Sequence, residues 1–232
     1  MALGAQTTPV VAIGNKWVGG AAFDRLDEFF ATAGASGVSS AEDSTVGTAV
    51  GNVFSESEQG IILDEDTLMV RLETLLNKTI AGIDRALPAL LDRPLPVRGN
   101  EGRTVRGLMY HIAQVARDPL RAADRIPIIK AMHEYDPPDD LRTPRDLAGL
   151  TDQVLTQLRE WWAAAPETTH LGVVDYYQGP YTFHGLLERC TWHVATHLRQ
   201  LAWMLEDAGI KSDAGLTAED TYGLPIPPTV WS

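Results

Sequence analysis

From about residue 62 the chain repeats apolar residues at intervals of three and four, the signature of amphipathic helices. Leu68, Leu72, Leu75, Leu76, Ile80, Ile83 and Leu87 mark a first helix that Pro88 ends. Val105, Leu108, Ile112 and Val115 mark a second, beginning near Thr104 and fading by Pro119. A short helix is expected over Ile126 to Met132. The next has a clear start, with Thr143 suited to the N-cap, Pro144 to the first helical position and Asp146 to the first turn. It carries Leu147, Leu150, Val154, Leu158 and Trp161 until Pro166. The last runs from about Tyr181 to Ala208 and stops at Gly209, a natural C′ residue. Four long amphipathic helices predict a mainly α protein built on a four-helix bundle.

The pattern differs at both ends. Pro9 to Ile13 is an apolar run, Gly14 and Asn15 are turn residues, and Trp17 and Val18 suit a second strand ended by Gly19 and Gly20. Asp24 to Phe30 then suits a helix. These features divide the chain into a ββα segment over 1–34, a Gly- and Ser-rich flexible linker over 35–60, the helical body over 61–212 and an irregular tail over 213–232. The tail is expected to be non-helical, with Trp231 packing against something. A short extended piece is expected within 167–180.

Composition narrows the chemistry. Acidic residues outnumber basic ones, 31 against 19, for a formal charge of −12. Such a field repels phosphate backbones and anionic lipids, which argues against nucleic-acid and membrane partners. Apolar runs fall well short of the ~20 residues a bilayer needs, and Met1 to Gln6 has no signal-peptide character. A cytoplasmic protein acting on a small molecule is expected, with a homodimer left open. One cysteine, Cys190, excludes both an intrachain disulfide and a Cys-rich zinc site.

Any metal must therefore be held by histidine and oxygen ligands. On the last helix Leu186, Cys190, His193, His197, Leu201 and Met204 fall on one stripe, so two histidines interrupt an apolar face. An i, i+4 pair turns both rings the same way, letting both reach one ion at about 2.1 Å. His111 sits likewise between Leu108 and Val115. Alone, each would be an ordinary hydrogen-bonded core histidine; a third inward one on another helix points to a divalent metal site. Three ligands leave coordination positions open, which suits a catalytic ion; zinc comes first, with nickel, iron and cobalt equally suited to imidazole.

Other candidates rank lower. Arg189 and Arg199 flank the stripe and are weak candidates to hold a substrate carboxylate, against solvated salt bridges. His184 and Tyr181, near the start of the last helix, are weak candidates to line a pocket mouth, and Tyr176 and Tyr177 to rim it. His133 lies in a charged stretch with Glu134, Tyr135 and Asp136 and is expected to be solvated, and His170 sits in a polar loop. Glu188 is expected to be exposed, Cys190 inert and buried.

These residues resemble a known family. The run TWHVATHLRQL from Thr191 to Leu201, continuing through Met204 and Leu205 to Gly209, resembles the last helix of the DinB superfamily. VRGLMYHIA from Val105 to Ala113 resembles its second helix. The resemblance covers about 62–212 and implies a four-helix bundle with one metal held by His111, His193 and His197. It further implies chemistry with a low-molecular-weight thiol such as mycothiol, bacillithiol or glutathione, whose sulfur the metal activates towards a small electrophile. Residues Thr7 to Val11, Ile13, Gly14, Val18 to Gly20 and Asp24 resemble the second half of a glutaredoxin; the first strand, first helix and active-site cysteine of that family have no counterpart before Met1. The resulting expectation is a thiol-dependent transferase or isomerase. A non-enzymatic metal-binding sensor or dimerisation module, and a metal-dependent hydrolase, are the alternatives.

Overall fold

The computed structural model describes residues 10–13, 16–19, 61–96, 102–164 and 171–231. The expected helix over Asp24 to Phe30, the 35–60 linker and His170 lie outside them. At the amino-terminal end, β1 (Val10–Ile13) and β2 (Lys16–Gly19) pair antiparallel, Val10 opposite Gly19 and Ile13 opposite Lys16, in keeping with the strand–turn–strand pattern.

The described residues of the body are mainly helical. α1 (Glu65–Arg85) is capped by Asp64, which accepts from the Thr67 N–H at 2.7 Å, and carries acids in its first turn and Arg85 in its last, as the helix dipole favours. It is shorter than its apolar pattern. Leu87 lies beyond it, 60% exposed, because the following Pro88 holds Leu87 in an extended conformation. α2 (Val105–Ala116) starts at the Thr104 cap, and α3 (Asp118–Ala123) follows directly. α4 (Pro144–Ala163) has a full capping box between Thr143 and Asp146. After the short hairpin of β3 (Val173–Val174) and β4 (Tyr181–Thr182), α5 (Phe183–Asp207) starts at a Thr182 cap. Tyr181 thus belongs to a strand rather than to the helix. α5 ends in a Schellman motif: Ile210 N–H bonds Leu205 O and Gly209 N–H bonds Glu206 O, with Gly209 at φ +72°.

α1 and α2 each pack against both α4 and α5, and the leucines that set the sequence pattern meet in one apolar core. Among the described residues no helix is long and apolar enough to cross a membrane.

Two expectations fail. Residues 126–132 form no α-helix. Ile128 instead exchanges backbone hydrogen bonds with Asp175 and Tyr177, and only a 3₁₀ turn, Lys130–His133, follows. Pro127, which has no N–H to give a helix, precedes this crossing. The tail contains a short helix, α6 (Ala218–Thr221), because Thr217 and Asp220 form a second capping box. The tail lies close on α1 and α5: Asp220 pairs with Lys78, and a side chain on Gly82 would stand 2.9 Å from the Ala214 Cβ. Trp231 does pack, edge-on to Trp203 with ring centres 5.5 Å apart.

Candidate metal centre

His111 comes from α2, and His193 and His197 from α5, one turn apart on a stripe whose other members are buried apolar residues. The packing of α2 on α5 brings the three rings together, with centres 5.3 Å (His111–His193), 4.8 Å (His111–His197) and 4.6 Å (His193–His197) apart. One ligand nitrogen from each lies within 4.8 Å of the others. Nε2 of His111 faces Nε2 of His193 at 3.5 Å. This trio is the group the helical spacing picks out.

What surrounds the rings decides which nitrogen each presents. The backbone carbonyl of His133 can only accept, so the 2.7 Å contact to His111 Nδ1 places that ring's proton on Nδ1 and leaves Nε2 bare. At His197, Nδ1 donates to Gln200 Oε1 at 2.7 Å, which again leaves Nε2 bare. His193 differs: its Nδ1 is buried without a partner and the residue is partly exposed. Burial holds all three rings neutral. It pushes the pKa of His111 and of His193 well below the usual value, helped by repulsion between the rings, and that of His197 down to about 4. Neutral imidazoles with two bare Nε2 atoms facing a common centre fit a borderline divalent ion such as zinc.

Tyr135 completes the wall, and sequence reasoning missed it. Its ring stacks on His111, centres 4.2 Å apart, and its hydroxyl lies 3.2 Å from His197 Nε2. The Arg103 guanidinium covers the ring at 4.0 Å. Two planar groups so close cannot share one face, so the phenol is sandwiched between imidazole and guanidinium. Burial raises its pKa to about 12, keeping the proton on. Gly107 makes room for it, since a Cβ there would sit 2.4 Å from the Tyr135 carbonyl oxygen. Arg103 forms no ion pair among the described residues.

A buried polar network stands behind His111. His133 is buried rather than solvated: its Nε2 lies 2.8 Å from Asp118 Oδ2, and the Tyr176 hydroxyl lies 3.4 Å from its Nδ1. Asp118 is fully buried and pairs with Arg121, which also holds Gln114. The charged neighbours in sequence concealed this, because the 3₁₀ turn points His133 inward while Glu134 faces out.

The weaker candidates fall around the site rather than in it. Arg189 makes no salt bridge among the described residues; it donates to the Tyr176 hydroxyl at 3.0 Å and lies over the rings of Tyr176 and Trp192. Arg199 donates to the Pro227 and Thr229 carbonyls at 2.7 and 2.6 Å, so it holds the tail. His184 Nε2 is taken by the Leu63 carbonyl at 2.8 Å, outside the ring cluster. Tyr181 is buried against Tyr176, and Tyr177 lies edge-on to His133. Glu188, expected exposed, is buried, and burial raises its pKa. Cys190 is buried, its thiol pushed well up by desolvation and then by Asp118, which suits an inert residue.

Compared with known protein families, with curated proteins and with solved structures, this chain matches none.

Proposed function

We propose that the chain is a metal-dependent enzyme of the DinB type, a four-helix bundle that uses a low-molecular-weight thiol to transfer or isomerise a small electrophile. The observation that carries this reading is the set of three neutral imidazoles converging from two helices, two of them hydrogen-bonded through Nδ1 so that Nε2 carries no proton. His111, His193 and His197 would hold a divalent ion, zinc first, and that ion when bound would supply a Lewis acid able to lower the pKa of a thiol.

The chain's own groups do the rest. Tyr135 keeps a proton on its hydroxyl next to His197, where it can donate to an oxygen or sulfur that gains charge. Arg103, in no ion pair among the described residues, sets a positive charge behind that phenol, which suits an anionic sulfur or a carboxylate in an otherwise acidic protein. The packed outer network excludes water from the back of His111 and fixes its orientation. The β1–β2 hairpin is compatible with the glutaredoxin-like segment and adds modest support for thiol chemistry.

The test uses protein purified without a histidine tag. Elemental analysis is expected to give near one equivalent of metal, lost in His193→Ala. The loaded protein is then expected to consume glutathione, mycothiol or bacillithiol against a panel of electrophiles. Absence of metal ends the proposal. Turnover that needs no thiol transfers it to hydrolysis, and metal without any turnover to a sensor or dimerisation module.

A further inference from the structure

Gln200 bridges the candidate ligand His197 to the C-terminal tail. Its Oε1 accepts from His197 Nδ1 at 2.7 Å, while its Nε2 donates to the Val230 carbonyl at 3.0 Å. We propose that the docked tail, acting through this amide, selects the tautomer of His197 that can bind a metal, which makes Gln200 a positioning residue for the site. The inference rests on the metal reading above.

An amide has two ends, and nothing in its shape decides which faces the histidine. The Val230 carbonyl decides, because it can only accept; the NH₂ must face the tail, so the oxygen faces His197. An oxygen there requires the imidazole proton on Nδ1, which leaves the Nε2 lone pair bare. With the tail away, the amide can turn over and donate to Nδ1. The ring proton then moves to Nε2 by exchange with water, with no change in net charge, and Nε2 is no longer a ligand. Tyr135 does not make this choice, since its hydroxyl at 3.2 Å can donate to a bare Nε2 or accept from a protonated one.

The tail is held for this role by contacts that do not involve the site. Arg199, one residue from Gln200, clamps the Pro227 and Thr229 carbonyls, and Trp231 packs edge-on against Trp203. His111 gets the same tautomer from a backbone carbonyl that cannot turn over. The two ligands are therefore set differently, one permanently and one conditionally.

The experiment compares the full chain, the chain ended after Ile226, Arg199→Ala in the full chain, and Gln200→Leu with and without the tail. Ring nitrogen shifts of His197 are read by NMR on metal-free protein, and zinc affinity by chelator competition. The full chain is expected to show a bare Nε2. Shortening and Arg199→Ala are expected to give mixed tautomers, with zinc affinity weakened in proportion to the lost bare-Nε2 population, about 2- to 10-fold for the shortened chain. Gln200→Leu should lose as much, and shortening it should add nothing. Gln200→Glu in the shortened chain, whose carboxylate accepts from Nδ1 in either orientation, should restore the bare Nε2 and the affinity.

An unchanged tautomer after shortening, or losses that add, overturns the proposal. Should the shortened chain fail to fold, the tautomer in full-length Arg199→Ala decides instead. Should the full chain take up no zinc, the metal reading falls while the tautomer ratio in metal-free protein still decides the coupling.

Discussion

Along α1 the core is dry. Leu68, Met69, Leu72, Leu75, Leu76 and Ile83 are fully buried, and the buried Thr79 hydroxyl is satisfied by Leu75 O at 2.8 Å within its own helix. Along α2, the start of α3 and the 3₁₀ turn that follows, the buried set includes His111, Gln114, Asp118 and His133, each with a side-chain or backbone partner outside its own turn. The first region gains from apolar surface removed from water, which needs volume and no exact angles. The second buries polar groups whose desolvation is offset only while every partner stays in place. A fold that needed stability alone could extend the leucines across both regions; the polar region is instead where the three histidines of the proposed site converge.

The largest test of this contrast is a truncation in the dry region. Leu72→Ala should cost roughly 2–5 kcal/mol in denaturant unfolding and leave metal stoichiometry unchanged. Lost metal binding in the folded variant would show that the two regions are not separable.

As the pH falls towards 4, the histidine region should weaken first. His197 takes a proton near 6.5 when unfolded but at about 4 when folded, so below 6.5 the unfolded chain binds more protons. Metal-free protein should be at full stability above that pH and lose up to about 3 kcal/mol from this group as the pH falls towards 4. Denaturant midpoints across this range check it. His197→Leu should flatten part of the slope; an unchanged slope would contradict the assignment.

A smaller effect separates the outer network from the three candidate ligands. Asp118→Asn loosens His133, whose carbonyl orients His111, and zinc affinity by competition should fall about tenfold. Equal affinity would leave Asp118 a purely structural residue. Gly107→Ala tests the wall of the site. The helix gains propensity, but the new methyl would overlap the Tyr135 backbone carbonyl, which cannot rotate aside as a side chain can, so the net loss should be about 1–3 kcal/mol. The informative readout is the Tyr135 ring signal in NMR, which should shift with those of His111 and His197.

Much of this site was readable from order in the chain alone. The i, i+4 placement of His193 and His197 and the inward position of His111 follow from helical periodicity, a local property of each segment. The caps at Thr143 and Gly209 are local too, and both occur as expected. Tertiary structure decided the rest. Tyr135 reaches His197 across 62 positions, Gln200 meets Val230 across 30, and His133 turns in to Asp118 from a stretch whose neighbours are charged. No spacing rule links such pairs, because they form only when distant segments cross and an acceptor-only carbonyl meets an amide or a ring. Helical spacing set which nitrogens could converge. Only the fold decided which of them carry a proton.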